Sequence, residues 1–345
     1  MVKLKRILFA LLALGMILTA IGSLFAMENS GSLRPAGGSI ENSQRFIEVL
    51  EKENVDAWFQ GHLHSPPQTI DTRVDKWGTT FIDTGCIRDN PPESFVVFLE
   101  NNKEKVVVKS RNHENREWNN LENKFSSTLT NPYRGKDLKI WVLSDMQPSS
   151  PKEWKNFQKA IKDANQNLKP DLAIIPGDLV TYGSKDQFKK FKNYIENLNV
   201  PRENIYTIAG NHDLTYETGT KNYRNLIENR LYYSIKRGNI TFTLMSDEKM
   251  TDLWGTISDN TFEWWKKIVQ TDNNNIITVT HEPLEGTTRG TIMGIKDQIT
   301  SGLRDGLHQA NYDFGPSTVA TLLIVLLIIL LAIPYAVSSA PAKSL

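Results

Sequence analysis

Four of the six histidines in this 345-residue chain stand in short motifs that also carry Asp, Asn or Gln. The motifs are Gly61-His62-Leu63-His64, Ser144-Asp145-Met146-Gln147, Pro176-Gly177-Asp178, Ala209-Gly210-Asn211-His212-Asp213 and Thr280-His281-Glu282-Pro283. Carboxylate, amide oxygen and imidazole together suit Mn²⁺, Fe or Zn²⁺. Two such cations roughly 3.5–4 Å apart generate hydroxide near neutral pH and clamp both oxygens of an in-line displacement. Singly the motifs are weak, since a Gly-Asp pair is most often a turn and a lone His281 is more often an ordinary histidine. Gly-Asn-His-Asp and Gly-His-Leu-His are far more specific, and the whole set is hard to produce by chance.

Such ligands need rigid elements behind them. From Leu138 the pattern alternates strand and helix: Lys139–Leu143, helix Pro151–Gln166, Leu172–Ile175, helix Lys185–Asn197 and Ile205–Ile208. That alternation predicts βαβ units, with the motifs at strand ends, where open α/β sheets put their ligands. Further strands are expected at Tyr232–Ile235, Ile240–Ser246 and Ile276–Thr280, with a helix over Asp259–Val269. Nearer the N-terminus the spacing predicts a helix over Ser43–Asn54, a buried strand Val55–Phe59 and strands Thr79–Asp83, Ser94–Glu100 and Lys105–Lys109. Residues 111–137 read as a polar connector with a short helix. His113 and His308 lie outside the motifs and read as surface residues.

The motif set resembles the calcineurin-like metallophosphoesterase superfamily, whose pattern runs Asp-x-His, Gly-Asp, Gly-Asn-His-Asp/Glu, His and Gly-His-x-His. The resemblance covers about residues 41–110 and 138–285. It implies an α/β two-sheet αββα sandwich with two divalent metal ions at its rim, Mn²⁺ favoured. Carried over motif by motif, Asp145 and His64 bind one metal, Asn211, His281 and His62 bind the other, and Asp178 bridges them. His212 then faces the leaving group or the phosphate, with Asp213 orienting it. The activity implied is hydrolysis of a phosphoester or pyrophosphate.

Two departures stand out. Gln147 occupies the place of the family's first histidine. An amide oxygen is a weaker, harder ligand, which loosens the first metal site or favours Mn²⁺ or Mg²⁺ over Zn²⁺. A branch that hydrolyses ADP-ribose or CDP-alcohols is similar in having Asp-x-Gln. The second departure is order: Gly-His-Leu-His comes last in the family but first here. The simplest account is a circular permutation, with residues 43–110 as the family's C-terminal part, 111–137 as connector, 138–285 as its N-terminal part and 286–315 as a loop beyond. Joined termini of this kind are tolerated because domain ends often lie close together.

Lys+Arg is 40 and Asp+Glu is 39, a net charge of +1, which gives no reason to expect a nucleic acid partner. The lone cysteine, Cys86, excludes an intrachain disulfide and a Cys-based zinc cluster, and reads as a small buried residue. Lys3, Lys5 and Arg6 precede an uncharged run from Ile7 to Met27, so residues 1–27 read as a signal peptide or N-terminal anchor, and 28–42 as a linker. Val319–Val337 is long and apolar enough for one bilayer crossing, within a transmembrane helix expected over 317–338. The positive-inside bias puts both ends in the cytoplasm and residues of about 28–315 outside. The expected protein is therefore membrane-anchored, with an extracytoplasmic catalytic domain and a membrane-associated, lipid-linked or nucleotide phosphoester as substrate. The alternative is a non-catalytic cell-surface metal-binding protein with a degenerate site, for which Gln147 is the single supporting feature.

Overall fold

The computed structural model describes residues 39–64, 73–101, 106–119, 135–215, 218–250 and 255–287, all within one unit spanning Pro35–Met293. Both expected membrane segments lie outside the described residues. Among those described, no helix is long and apolar enough to cross a membrane.

The strands are β1 (Ala57–Gln60), β2 (Arg73–Lys76), β3 (Thr79–Asp83), β4 (Glu93–Leu99), β5 (Val107–Asn112), β6 (Glu117–Trp118), β7 (Leu138–Val142), β8 (Leu172–Pro176), β9 (Ile205–Ile208), β10 (Tyr232–Arg237), β11 (Ile240–Met245), β12 (Lys249–Met250), β13 (Gly255–Thr256) and β14 (Asn275–Val279). The helices are α1 (Ser43–Leu50), α2 (Pro151–Asp163), α3 (Lys185–Ile195), α4 (Lys221–Leu226) and α5 (Asp259–Thr271). One six-stranded sheet runs β10-β11-β14-β1-β3-β2 and the other β6-β5-β4-β7-β8-β9. In the first, β11, β14, β1 and β3 are mutually parallel neighbours. In the second, β7, β8 and β9 are parallel. Each sheet thus draws strands from both sides of the 111–137 segment.

Alternation along the strands explains the layering, because successive side chains point to opposite faces. Ile140, Val142, Leu172 and Ile174 share one core with Phe59, Phe242, Ile277 and Val279, so this face of each sheet packs on the other sheet. Trp141, Leu143, Ala173 and Ile175 point the other way, against Trp154, Phe157, Phe188 and Phe191 of α2 and α3. Trp58, Phe81 and Ile276 likewise meet Phe46, Phe262 and Trp265 of α1 and α5. The result is four layers, α/β/β/α. The buried indoles keep hydrogen-bond partners: Trp58 Nε1 donates to Thr280 Oγ1 at 2.7 Å and Trp265 Nε1 to Thr278 Oγ1 at 3.0 Å.

Three helices start on side-chain caps. Ser150 and Glu153 form a reciprocal capping box with Pro151 at the first turn, so α2 begins four residues after Gln147. Ser184 and Ser258 cap α3 and α5. The expected helix over Pro151–Gln166 runs on as a wider turn over Ala164–Leu168, until Lys169 turns left-handed at φ 48°. The expected helix over Ser43–Asn54 stops at Leu50, because Val55 and Ala57 must already enter the core as extended chain.

The reading of 111–137 needs correction. Residues 107–112 form β5, and Glu117–Trp118 pairs with it as β6. His113 is no surface residue: it is 1% exposed, held by Asp163 on one nitrogen and Ser94 on the other. Residues 120–134 and His308 lie outside the described residues.

Candidate metal centre

Every predicted ligand follows a parallel strand. His62 and His64 follow β1, Asp145 and Gln147 follow β7, Asp178 follows β8, Asn211 and His212 follow β9, and His281 follows β14. The C-terminal ends of both sheets therefore meet at one rim. Backbone bonds fix them there: Gly61 N–H donates to His281 O at 2.9 Å, and Gln147 N–H to Asp178 O at 3.0 Å.

Glycine makes that approach possible. A methyl on Gly177, which sits at φ 84°, would lie 2.7 Å from the His281 ring. One on Gly61 would lie 2.7 Å from Asp145 Oδ2. His62, His64, Asp145 and Asp178 themselves adopt positive φ, between 49° and 73°. For residues with a Cβ that conformation is strained, and the surrounding bonds must hold it.

Ligand atoms of Asp145, Asp178 and His281, all buried, lie within 4.8 Å of one another. His281 Nε2 is 3.3 Å from Asp178 Oδ1 and 2.9 Å from Asn211 Oδ1. His62 Nδ1 is 3.3 Å from the same Asn211 oxygen. His64 Nε2 is 3.3 Å from Asp145 Oδ1 and 2.8 Å from the Gln147 amide nitrogen. All seven predicted ligands are thus in one network, and residues 61–64 join it although they precede the rest by some 80 residues.

His281 Nδ1 donates to Pro176 O at 2.8 Å, which leaves Nε2 as the basic nitrogen facing Asp178 and Asn211. Metal-ligating histidines are held in this way, through the ring nitrogen away from the ion. Gln147 Oε1 is buried and has no hydrogen-bond partner. A buried polar atom without a partner is uncommon, and an ion is one of the few things that satisfies it. Two buried carboxylates beside three imidazoles, with an amide oxygen to spare, fit divalent cations.

The electrostatics are those of a crowded acid–imidazole cluster. Burial works against the Asp178 anion, but His281, His212 and His62 together hold its pKa well below the carboxylate range. Burial also opposes a charged His281, and Asp178 and Asp145 reverse this and raise its pKa. Burial opposes a charged His64 too, while Cys86 and Asp145 draw its pKa upward. His62 falls to about 4, through burial and then His281.

His212 is positioned by backbone. Its Nδ1 donates to Thr181 O at 3.0 Å, and its amide donates to Asp178 Oδ1 at 2.9 Å. The expected orientation of this ring by Asp213 is not what holds it. The Asp213 carboxylate turns inward to accept the amides of Gly210, Leu179 and Val180 at 2.9, 3.2 and 3.1 Å. Asp213 thereby ties the Asp178 loop to the Asn211 loop, since three converging amides outcompete one ring nitrogen. Burial and the nearby Asp178 push it up to about 8.

Sequence reasoning assigned no role to four residues near these ligands. Arg88 Nη2 lies 3.1 Å from His64 Nδ1, and Cys86 Sγ donates to Asp145 O at 3.3 Å. Behind His281, Asp247 and Glu282 are buried, and burial raises both, Asp247 to about 7. Their common signal is position just beyond a parallel strand, the rule that found the others.

Residues 138–326 match the family model described as calcineurin-like phosphoesterase. A probable cyclic nucleotide phosphodiesterase of Moraxella catarrhalis is 24% identical over 137 residues, covering 36% of this chain and 48% of the relative. One from a Synechococcus strain is 28% identical over 136 residues, covering 38% of this chain and 51% of the relative. A probable glycerophosphodiester phosphodiesterase of Arcobacter nitrofigilis is 43% identical over 49 residues, 14% of this chain and 17% of that protein. The chain spans about half the length, or less, of these curated relatives. The structure of a purple acid phosphatase from yellow lupin aligns over 55% of this chain and 36% of that one, at 14% identity and TM-score 0.31. With more than half of its residues inside the family model, the chain belongs to the calcineurin-like phosphoesterase family.

Proposed function

We propose that this protein is a metal-dependent phosphodiester hydrolase with two divalent cations, membrane-anchored, whose catalytic domain is written in circularly permuted order. The observation that carries the reading is the convergence of Asp145, Asp178 and His281 beside the unpartnered Gln147 Oε1. Asp145, Gln147 and His64 are assigned to one cation, Asn211, His281 and His62 to the other, and Asp178 to both. Bound there, the cations lower the pKa of water and polarise phosphoryl oxygens. The chain's own part is positioning and proton transfer. The Pro176 carbonyl holds a proton on His281 Nδ1, so Nε2 is the nitrogen that would meet a cation. The Thr181 carbonyl holds one proton on His212 Nδ1, so in the imidazolium form the second proton sits on Nε2, from which it would pass to the leaving oxygen. Asp213 holds the two loops in register.

Two features support the permutation. Strand β1 stands between β14 and β3, and β4 stands beside β7, so each sheet is completed by residues 57–118. The histidines that follow β1 meet Asn211 and Asp145 from the other segment. The relatives, named as probable phosphodiesterases, favour a diester over a monoester. Anchoring rests on the apolar runs Ile7–Met27 and Val319–Val337. With residues of about 28–315 outside the membrane, a lipid head group or a nucleotide would be within reach.

The test is hydrolysis of bis-p-nitrophenyl phosphate by the full chain. Turnover that requires added Mn²⁺ and disappears in Asp178→Asn is expected. No turnover with any of Mn²⁺, Mg²⁺, Fe²⁺ or Zn²⁺ would favour the non-catalytic reading. For the substrate, faster cleavage of a bilayer-embedded diester than of a soluble one is expected. The opposite preference would remove the membrane-substrate part.

A further inference from the structure

We infer that Tyr182 is a specificity residue of this site, whose ring receives a planar group carried by the leaving alcohol of the diester. The inference rests on the hydrolase reading above, deepens it to a substrate class and adds a residue that the motif set does not contain.

Few large apolar side chains are left in solvent. Among the described residues they are Val107, Trp118, Tyr182 and Tyr232, and Tyr182 is the most exposed at 58%. Val107, Trp118 and Tyr232 belong to strands β5, β6 and β10. Trp118 and Tyr232 have ring partners, Phe98 at 5.9 Å and Trp264 at 5.0 Å between centroids. Tyr182 stands instead in the loop after β8, four residues beyond Asp178. Among the described residues neither its ring nor its hydroxyl has a partner.

The main chain is fixed against the His212 segment on both sides of this tyrosine. Before it, Thr181 O accepts His212 Nδ1 at 3.0 Å, and Thr181 Oγ1 donates to Gln147 O at 2.7 Å. After it, Gly183 lies directly on the residue next to His212, so that a methyl there would be 2.0 Å from Asp213 O. Asn222 Nδ2 donates to Gly183 O at 2.8 Å. The Tyr182 backbone is bonded as well. Its N–H donates to Gln187 Oε1 at 2.8 Å, and its carbonyl accepts Ser184 N–H at 2.6 Å. Thr181 and Gly183 are both buried. A clamped main chain thus sends one free ring into solvent beside the histidine assigned to the leaving oxygen.

A tyrosine ring has few torsions to freeze, so a loop held this firmly presents it at low entropic cost. What it can recognise there is a second flat face. Stacking on an aromatic side chain tolerates any planar ring, because every such ring has a π-face. A nucleobase or an aryl group on the departing alcohol meets that requirement, and a bare glycerol does not.

The test uses the full chain with Mn²⁺ and four diesters: methyl p-nitrophenyl phosphate, bis-p-nitrophenyl phosphate, dithymidine monophosphate and glycerophosphoglycerol. For Tyr182→Ala, KM for methyl p-nitrophenyl phosphate, whose only ring departs, should rise by on the order of 10-fold, the scale of one lost stack. Its kcat should stay within about twofold, since the ring binds and does not transfer a proton. KM for glycerophosphoglycerol should not change. Tyr182→Phe should match the wild type, because the ring is kept. A rise on dithymidine monophosphate as well would name a nucleobase, and a rise on the aryl esters alone an aryl alcohol. An unchanged KM on every ring-bearing ester would overturn the inference. So would an equal rise on glycerophosphoglycerol, or a rise confined to bis-p-nitrophenyl phosphate, which would put the ring on the group that stays. A loss in Tyr182→Phe as large as in Tyr182→Ala would make the hydroxyl the contact and overturn it too. A wild-type chain that cleaves none of the four would instead remove the hydrolase reading, and this inference with it.

Discussion

Two clusters in this protein are made of the same residue types and are equally buried, yet one is complete and the other is not. In the first, Asp163 accepts both Arg111 donors at 2.8 Å, His113 Nδ1 at 2.8 Å and Asn167 at 2.7 Å. Ser94 Oγ donates to His113 Nε2 at 2.7 Å and accepts Trp141 Nε1 at 2.8 Å. The connectivity is that of a Ser-His-Asp triad, but Ser94 is fully buried and no substrate reaches it. In the second, around Asp178, carboxylates crowd together and Gln147 Oε1 is left without a partner. The comparison teaches that residue identity does not separate a structural network from a site. What differs is the arrangement: donors and acceptors match around Asp163, whereas around Asp178 carboxylates and imidazoles crowd together at the ends of parallel strands.

Substitutions can break this contrast. The largest effect is expected for Asp178→Asn, with hydrolysis falling by about 10³-fold or more as cation binding is lost. The metal-free melting temperature should fall as well, because His281, His212 and His62 favour that anion in the folded chain. In the closed network stability alone suffers. Arg111→Ala leaves the Asp163 charge buried and should cost about 3–5 kcal/mol of stability, read by denaturant titration, with kcat of the folded protein within about twofold. His212→Ala should lower kcat by about 10²-fold while Mn²⁺ stoichiometry stays the same. Gln147→His should tighten the first cation and move preference from Mn²⁺ towards Zn²⁺, by on the order of 10-fold in affinity.

The smallest effect is a pH dependence. Burial first, and then Arg111, hold His113 below the ordinary value of 6.5, against the pull of Asp163. The unfolded chain therefore binds a proton that the folded chain refuses, and stability falls as pH drops below about 6.5. Metal-free wild type should lose more melting temperature than His113→Asn as pH falls from about 6.5 to about 5, while Asp213 and Asp247, raised to about 8 and about 7, act with the opposite sign. His113→Asn should flatten this slope. An unchanged slope would mean that another group sets it.

The sequence made the second cluster legible and hid the first, for a physical reason. Metal ligands come packed in loops beyond strands, so Asn211-His212-Asp213 and His62-Leu63-His64 announce themselves as short motifs. Ser94, Arg111, His113 and Asp163 stand singly on β4, on β5 and just beyond it, and at the end of α2, and nothing local marks them as partners. His113 lies outside the motifs, and its neighbours Asn112, Glu114 and Asn115 are polar, so nothing local signals burial. Arg88 lies beyond β3 and is not a metal-ligand type, so no ligand motif displays it. The strand–helix alternation after Leu138 was plain because each strand is apolar on both faces, whereas β2 and β6 are short edge strands with little pattern to read. The role given to Asp213 failed because backbone amides, which no motif displays, hold its carboxylate.

The central claim, that residues 62–64 complete a two-cation centre with residues 145–281, is tested most directly by anomalous diffraction from crystals of the full chain soaked in Mn²⁺. The account predicts two peaks sharing Asp178, one against Asp145, Gln147 and His64, the other against Asn211, His281 and His62. A single peak, or peaks that touch neither His62 nor His64, would contradict it.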